Sequence, residues 1–378
     1  EAIKSIGASG QARHEILKPN YRGLNISNMR STILKMLGIE SDGSKPLHEM
    51  TPFRGRLEDL FKPQPKGLLM ILVDSLNLGL LSGLITCLAH AKKAYGGLLK
   101  GLVTSTFPSV TPTALMTLYT GLPPLAHGVL GFEFYLEKAD RIINPFKLDS
   151  DEAFLKDVFG SAGNLFEEAA QKGLGVCAFM PKDLSSSPAT RMMLRNVRVI
   201  GYRSLASVDR LISGARNTKL FYAYYSRLDE ILHKEGPKSR KIANVIREVQ
   251  NLIEGSLKKG LGVILLSDHS FVEVNRRVSV KAGNAKMASN GGRVIYIYNG
   301  DSLEGCNGQC FESFAREQLL REGWLGEGEH PGRIGETILV ARDGCFLTWE
   351  GKDSGDKATH GGFLMEEIVA PLAIFSPL

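Results

Sequence analysis

Leu68-Leu69-Met70-Ile71-Leu72-Val73 is an unbroken apolar run that ends on Asp74-Ser75. Six residues with no polar break read as a strand buried on both faces, as in a parallel sheet. A carboxylate where such a strand ends either caps the next helix or binds a metal, and Asp74 alone leaves both open. Helical spacing follows over 80–94, then a strand over 98–105. A helix over 112–119 is stopped by Gly121 and Pro123. Next come a helix over 165–171 and strands over 176–180 and 220–225. Ile242, Val245, Ile246, Val249, Leu252 and Ile253 form one helical face. A strand over 263–266 runs into Ser267-Asp268-His269, and strands over 294–298, 338–341 and 368–375 complete the set. Strands alternating with helices predict an α/β fold with a central, mainly parallel sheet. Ligands gather beyond the carboxyl ends of such strands, where Asp74, Asp268 and His269 fall.

Upstream, residues 1–60 show no strong strand and read as an N-terminal extension. Ile26, Met29, Ile33, Met36 and Leu37 have helical spacing with Asn25 as the expected cap. Phe61-Lys62-Pro63-Gln64-Pro65-Lys66-Gly67 reads as a linker. The catalytic domain is expected over 61–378. A stretch rich in Gly, Asn and charge, about 275–335, reads as an insertion that forms a small cap.

The chain has 378 residues, 43% hydrophobic and 23% charged, which fits a globular protein and not a disordered one. Lys plus Arg is 46 and Asp plus Glu 40, giving +6. This mild excess suits anionic small molecules and points to no specific nucleic-acid partner. No apolar run reaches the ~18 residues of a membrane span. The longest, 76–91, is broken by Gly79, Ser82, Gly83 and Thr86, so no membrane partner is expected. Cys87 and Cys177 lie in apolar stretches and read as core. Cys306 and Cys310 sit in a Gly-rich stretch, either paired or on a metal, and no second pair has zinc-finger spacing. Mostly free thiols set the expectation of a cytoplasmic protein. The chain does not begin with Met, which leaves an upstream signal open. A homo-oligomer is left open too.

Thr111 stands in Phe107-Pro108-Ser109-Val110-Thr111-Pro112. Thr before Pro at a helix start reads as an N-cap with an N1 proline. The same place puts its hydroxyl at a positive helix end, where phosphate is favoured. A metal would activate that hydroxyl, as zinc lowers bound water from ~15.7 to ~7. Asp229 and His233 stand four apart, on one helical face, as either an ion pair or two ligands. His360 precedes Gly361-Gly362, where backbone can pass close to a ligand. Together these are three Asp, three His and one hydroxyl, an N/O donor set that suits zinc, manganese or iron.

In order along the chain, these motifs resemble the type I phosphodiesterase/nucleotide pyrophosphatase branch of the alkaline phosphatase superfamily. They are Val73-Asp74, F-P-x-x-T ending at Thr111, and Thr120-Gly121-Leu122-Pro123-Pro124-x-x-His127-Gly128. Asp229-x-x-x-His233-x-x-Gly236-Pro237, Ser267-Asp268-His269 and His360-Gly361-Gly362 follow. The resemblance spans about 68–375. It implies an alkaline-phosphatase-like three-layer sandwich with a small inserted cap and two divalent metal ions, zinc first. It implies that Asp229, His233 and His360 hold one metal and Asp74, Asp268 and His269 the other. Thr111 would sit on the second metal as nucleophile and form a covalent threonine phosphoester. Water activated at the first metal would release it.

The implied substrate is a small phosphate ester, a nucleotide among the candidates, cleaved as a diester or pyrophosphate. Phe132 stands where the nucleotide pyrophosphatases carry an Asn on a phosphate oxygen. Phe132, Phe134 and Tyr135 offer a stacking wall for a base, or are core aromatics. Thr111-Pro112-Thr113 lacks the C/S-x-P-x-R of sulfatases. No Arg follows Thr111 as in alkaline phosphatases, which favours diesters. Lys182, Arg191, Arg227 and Arg293 are open as phosphate-binding cations outside the catalytic set. The alternatives are a phosphonoacetate-type phosphonate hydrolase, a phosphomonoesterase, or a non-catalytic phosphate-binding relative.

Overall fold

A computed structural model describes residues 15–90, 95–148, 152–160, 162–300, 309–349 and 351–378. Its centre is a seven-stranded sheet. The order is Gly97–Thr104, Val369–Ser376, Leu261–Leu266, Gly67–Val73, Thr218–Tyr225, Gly175–Pro181 and Arg198–Tyr202. Only Val369–Ser376 runs against the rest, antiparallel to both of its neighbours. Gly67–Val73 lies in the middle, parallel to Thr218–Tyr225 on one side and to Leu261–Leu266 on the other.

The run that opened the reading is buried throughout because its two faces serve two cores. Side chains alternate across a strand. Leu68, Met70 and Leu72 join a core shared with helices Asn28–Met36, Thr111–Thr120 and Leu165–Gln171. Leu69, Ile71 and Val73 join a second core with Leu78–His90, Leu205–Gly214, Arg227–Glu235 and Ile242–Lys258. The result is helices, sheet, helices: the three-layer α/β architecture that was expected.

Two expected strands belong elsewhere. Val294–Tyr298 and Thr337–Ala341 pair antiparallel in a separate four-stranded sheet with Lys286–Asn290 and Phe311–Ala315. They read like central strands because they too are buried on both faces. Val294, Tyr296 and Val340 face the main core, while Ile295, Ile297 and Leu339 face a small cluster of their own.

The upstream helix begins at Asn28, not after Asn25. The Asn25 amide instead donates to the carbonyls of Thr104 and Ser105, both at 2.9 Å, and its Oδ1 accepts the Ser27 N–H. This pins the upstream chain to the edge strand. Ile26, Met29, Ile33, Phe53 and Leu57 are buried in the main core. The helix expected over 80–94 is Leu78–His90, and 91–94 lie outside the described residues. Cys87 is exposed on it rather than in the core, whereas Cys177 is buried. Cys310 is a buried free thiol, and Cys306 lies outside the described residues. Among the described residues no helix is long and apolar enough to cross a membrane.

Candidate metal centre

The carboxyl ends of neighbouring strands supply most of the site. Asp74 follows Gly67–Val73, and Asp268-His269 follow Leu261–Leu266 by one residue. Arg227–Glu235 starts just beyond Thr218–Tyr225 and carries Asp229 and His233 one turn apart. Thr111 opens the helix Thr111–Thr120. It is not the cap, because Val110 holds that place. Freed from capping, the Thr111 hydroxyl lies 3.1 Å from His269 Nε2 and donates to Asp74 Oδ2 at 3.4 Å.

His360 follows the short strand Ala358–Thr359. Its loop is tied to the threonine segment. Ser109 N–H donates to the Gly361 carbonyl at 3.2 Å, and Ser109 Oγ to the Gly362 carbonyl at 2.9 Å. Gly362 N–H donates to Glu367 at 2.8 Å. Glu367 in turn meets the fully buried Arg293 through two bonds of 3.0 and 3.1 Å. Arg293 also donates to the carbonyls of Ala341 and Cys345. It is therefore a structural cation and not a phosphate ligand. Of the other cations considered, Arg227 is exposed beside Glu230 at 3.6 Å, Arg191 donates to the Ser186 carbonyl, and Lys182 is exposed.

Two groups form. Asp229, His233 and His360 can hold one cation, and Asp74, Asp268 and His269 another, with ligand atoms in each group within 4.8 Å of one another. The His269 and His360 rings stack at 3.8 Å, so the groups adjoin. Ser75 bridges them. It holds φ 62, unusual for a non-glycine residue, and its Oγ donates to Asp229 Oδ1 at 2.7 Å while lying 3.4 Å from His269 Nδ1.

The donor set fits metal. His360 Nδ1 is held by the Ser109 carbonyl at 3.0 Å and His269 Nδ1 by the Ser270 carbonyl at 3.2 Å. Each Nε2 then presents a lone pair. That of His269 faces Asp268 Oδ2 at 3.3 Å and Asp74 Oδ1 at 3.5 Å, and that of His360 faces Asp229 Oδ1 at 3.6 Å. Both Asp268 oxygens and Asp74 Oδ1 are buried without a hydrogen-bond partner. Buried lone pairs facing lone pairs are costly unless a cation lies between them.

The acid–base properties agree. Burial pushes Asp74 well above the usual carboxylate range, and the charges of Asp268 and Asp229 push it further. Burial carries Asp268 up to about 7. Burial lowers His269 to about 4 and His360 to about 3, so both are neutral, as a ligand must be. Burial also opposes a charge on His233, but the carboxylates of Asp229 and Asp356 outweigh it and raise that group to about 10, so His233 is charged until a metal displaces one proton.

All seven site residues named from sequence thus meet in one place. The groups that orient them were not named. Tyr224 donates to Asp74 Oδ2 at 2.5 Å, and Asp356 Oδ2 lies 3.3 Å from His233 Nδ1. A tyrosine in a buried strand needs a partner for its hydroxyl, and that was the available signal for Tyr224. Of the three wall aromatics, only Phe132 borders the site, its ring 6.1 Å from His360 and 6.4 Å from Phe146. Phe134 is fully buried under the Arg333 guanidinium. Tyr135 lies tilted against Tyr298 with ring centres 5.5 Å apart, and its hydroxyl donates to Asp140. His127 is internal, bonded to Thr117 Oγ1 and to the Val129 N–H.

The family model for type I phosphodiesterase/nucleotide pyrophosphatase matches residues 68–363. No curated protein matches the chain. Among solved structures, murine ectonucleotide pyrophosphatase/phosphodiesterase 5 is similar at 18% identity and TM-score 0.63, covering 81% of this chain and 87% of that one. The same murine protein as an inactive threonine-to-alanine variant in complex with AMP is similar at 18% identity and TM-score 0.63, with 82% and 87% covered. Phosphonoacetate hydrolase from Sinorhizobium meliloti in complex with phosphonoacetate is similar at 15% identity and TM-score 0.60, with 83% and 91% covered. At such identities the likeness speaks for the fold, while the family match spans most of the chain. The chain belongs to the type I phosphodiesterase/nucleotide pyrophosphatase family, and is a phosphoric-ester hydrolase.

Proposed function

We propose that this chain cleaves phosphate diesters or nucleotide pyrophosphates with Thr111 as nucleophile. The observation that carries the reading is the Thr111 hydroxyl, turned away from capping toward His269 Nε2 and Asp74 Oδ2. Two divalent cations, zinc first and manganese or iron as alternatives, would lower the hydroxyl's pKa and clamp the attacking and leaving oxygens. Thr111 Oγ1 attacks phosphorus, the leaving oxygen departs, and the threonine carries the phosphoester. Water then attacks phosphorus and restores the free hydroxyl. The N–H groups opening Thr111–Thr120 favour the phosphoryl oxygens. In this reading 61–378 is the catalytic domain and about 275–335 its cap, with Thr337–Ala341 completing the cap sheet. The free thiols at Cys87, Cys177, Cys310 and Cys345 support the cytoplasmic expectation.

A second reading has its own observation. Phe132 sets an apolar ring beside His360 in place of the Asn that would hold a phosphate oxygen, which removes one support for a nucleotide and makes a phosphonate or monoester the second reading. Initial rates of the zinc-loaded protein on bis-p-nitrophenyl phosphate, p-nitrophenyl phosphate and phosphonoacetate separate the two. The diester is expected to be fastest. Faster monoester or phosphonate cleavage transfers the assignment to the second reading. Turnover on none of them supports a non-catalytic relative.

A further inference from the structure

Each of the three site histidines has an oxygen behind its Nδ1. Main-chain carbonyls hold it for His269 and His360, whereas the His233 Nδ1 is buried beside a carboxylate with no formed hydrogen bond. His233 differs, because both of its ring nitrogens face carboxylates. Nδ1 lies 3.3 Å from Asp356 Oδ2, and Nε2 lies 3.3 Å from Asp229 Oδ1. A neutral imidazole has one ring proton. On Nε2 that proton bonds Asp229, and the site loses a ligand lone pair. On Nδ1 it bonds Asp356, and the Nε2 lone pair faces the site. Two carboxylates therefore compete for one proton, and the outcome sets whether His233 can ligate.

Asp356 is itself fixed. Ser354 Oγ donates to the same Oδ2 at 2.5 Å. Arg277 Nε bonds both Asp353 oxygens at 3.1 and 2.9 Å, and its Nη2 donates to the Asp356 carbonyl. Lys357 N–H donates to the His233 carbonyl at 2.7 Å, which lays this segment along the helix end. Four residues on from Asp356 comes His360. One stretch of chain thus supplies one ligand of the group and touches the back of another.

We propose that Asp356 is a positioning residue for His233, holding the imidazole in the Nδ1–H tautomer and completing a carboxylate–histidine–metal chain. The inference rests on the reading of Asp229, His233 and His360 as a metal site. The test strips wild type, His360→Ala, Asp356→Asn and Asp356→Glu of metal and titrates each with Co2+ against a competing chelator, read by visible absorption. Wild type is expected to take two ions and His360→Ala one. Asp356→Asn is expected to bind the ion lost in His360→Ala about 10–100-fold more weakly, with an altered cobalt spectrum and the other ion unaffected. Asp356→Glu restores part of that affinity. The melting temperature of the metal-free Asp356 variants stays near wild type, which a merely structural role would not allow. Wild-type binding of both ions by Asp356→Asn overturns the proposal, as does equal weakening of both. If wild type and His360→Ala bind cobalt alike, the metal-site reading fails and this inference with it. Nitrogen-15 NMR of the zinc-loaded wild type, in which His233 keeps a single ring proton, tests the tautomer without any variant, and a proton on His233 Nε2 in that state overturns it as well.

Discussion

A threonine hydroxyl is a poor nucleophile at neutral pH, so its surroundings must do most of the activation. Thr111 and Tyr224 both reach Asp74 Oδ2, yet their roles separate. Thr111→Ala is expected to abolish turnover while metal content and fold persist, by elemental analysis and circular dichroism. A near wild-type rate would remove Thr111 from the mechanism. Tyr224→Phe is expected to do the reverse, with turnover kept at saturating metal and retention against a chelator weakened about tenfold, in the range for lost outer-shell partners. Unchanged retention would show that Asp74 needs no such support. The ligand types were legible because Asp, His and Thr at strand ends and helix starts are few and carry their chemistry with them. Tyr224 and Asp356 were not, since their roles depend on which atom they face across the fold. Strand register sets that for Tyr224 and a loop path for Asp356, and neither leaves a spacing in the sequence.

Among the elements, the His360–Gly362 loop shows how a weak motif is held. Gly361 has φ 127, and a Cβ on Gly291 (φ 66) would stand 2.0 Å from the His360 carbonyl. The loop can run there only because glycine lets two backbones touch. Glu367 fastens it to Arg293, both fully buried. Glu367→Gln leaves the Arg293 charge in the core without its counter-ion. The expected cost is about 3–5 kcal/mol in denaturant unfolding, because breaking one side of a buried pair exposes the desolvation penalty of the other. A change below 1 kcal/mol would mean that carbonyls alone satisfy Arg293. The central strands were readable from their apolar runs, and the helix Leu165–Gln171 from its spacing. Direction was not. Val369–Ser376 looks like its parallel neighbours because burial on both faces erases the alternation that marks an antiparallel strand. The edge strand Arg198–Tyr202 went unread for the opposite reason, having only Tyr202 buried.

For the whole molecule, the same buried carboxylates that would hold metal are a burden without it. Asp268 moves from its ordinary 3.8 to about 7 on folding. Its stabilising contribution is present below about pH 4 and is lost as pH rises through 7, because the folded state binds that proton more tightly. His269 and His360 move from 6.5 down to about 4 and about 3, so their contribution has the opposite slope and grows as pH rises toward 6.5. The two slopes oppose each other over most of the acid range. Metal binding breaks the balance, since it displaces the Asp268 proton and the His233 proton, which is held to about pH 10, while His269 and His360 are already neutral above about pH 4. Apparent metal affinity should therefore rise with pH, about tenfold per unit for each displaced proton, up to about 7 for the ion on Asp268 and beyond 7 for the ion on His233. Metal at 100 times its dissociation constant stabilises the fold by about 2.7 kcal/mol. Melting curves at pH 5, 6, 7 and 8, with zinc and with chelator, should show a gap that widens all the way from pH 5 to pH 8. A gap independent of pH would mean that Asp268 and His233 have lost their protons before metal arrives, and no gap at any pH would mean that the seven residues hold no metal.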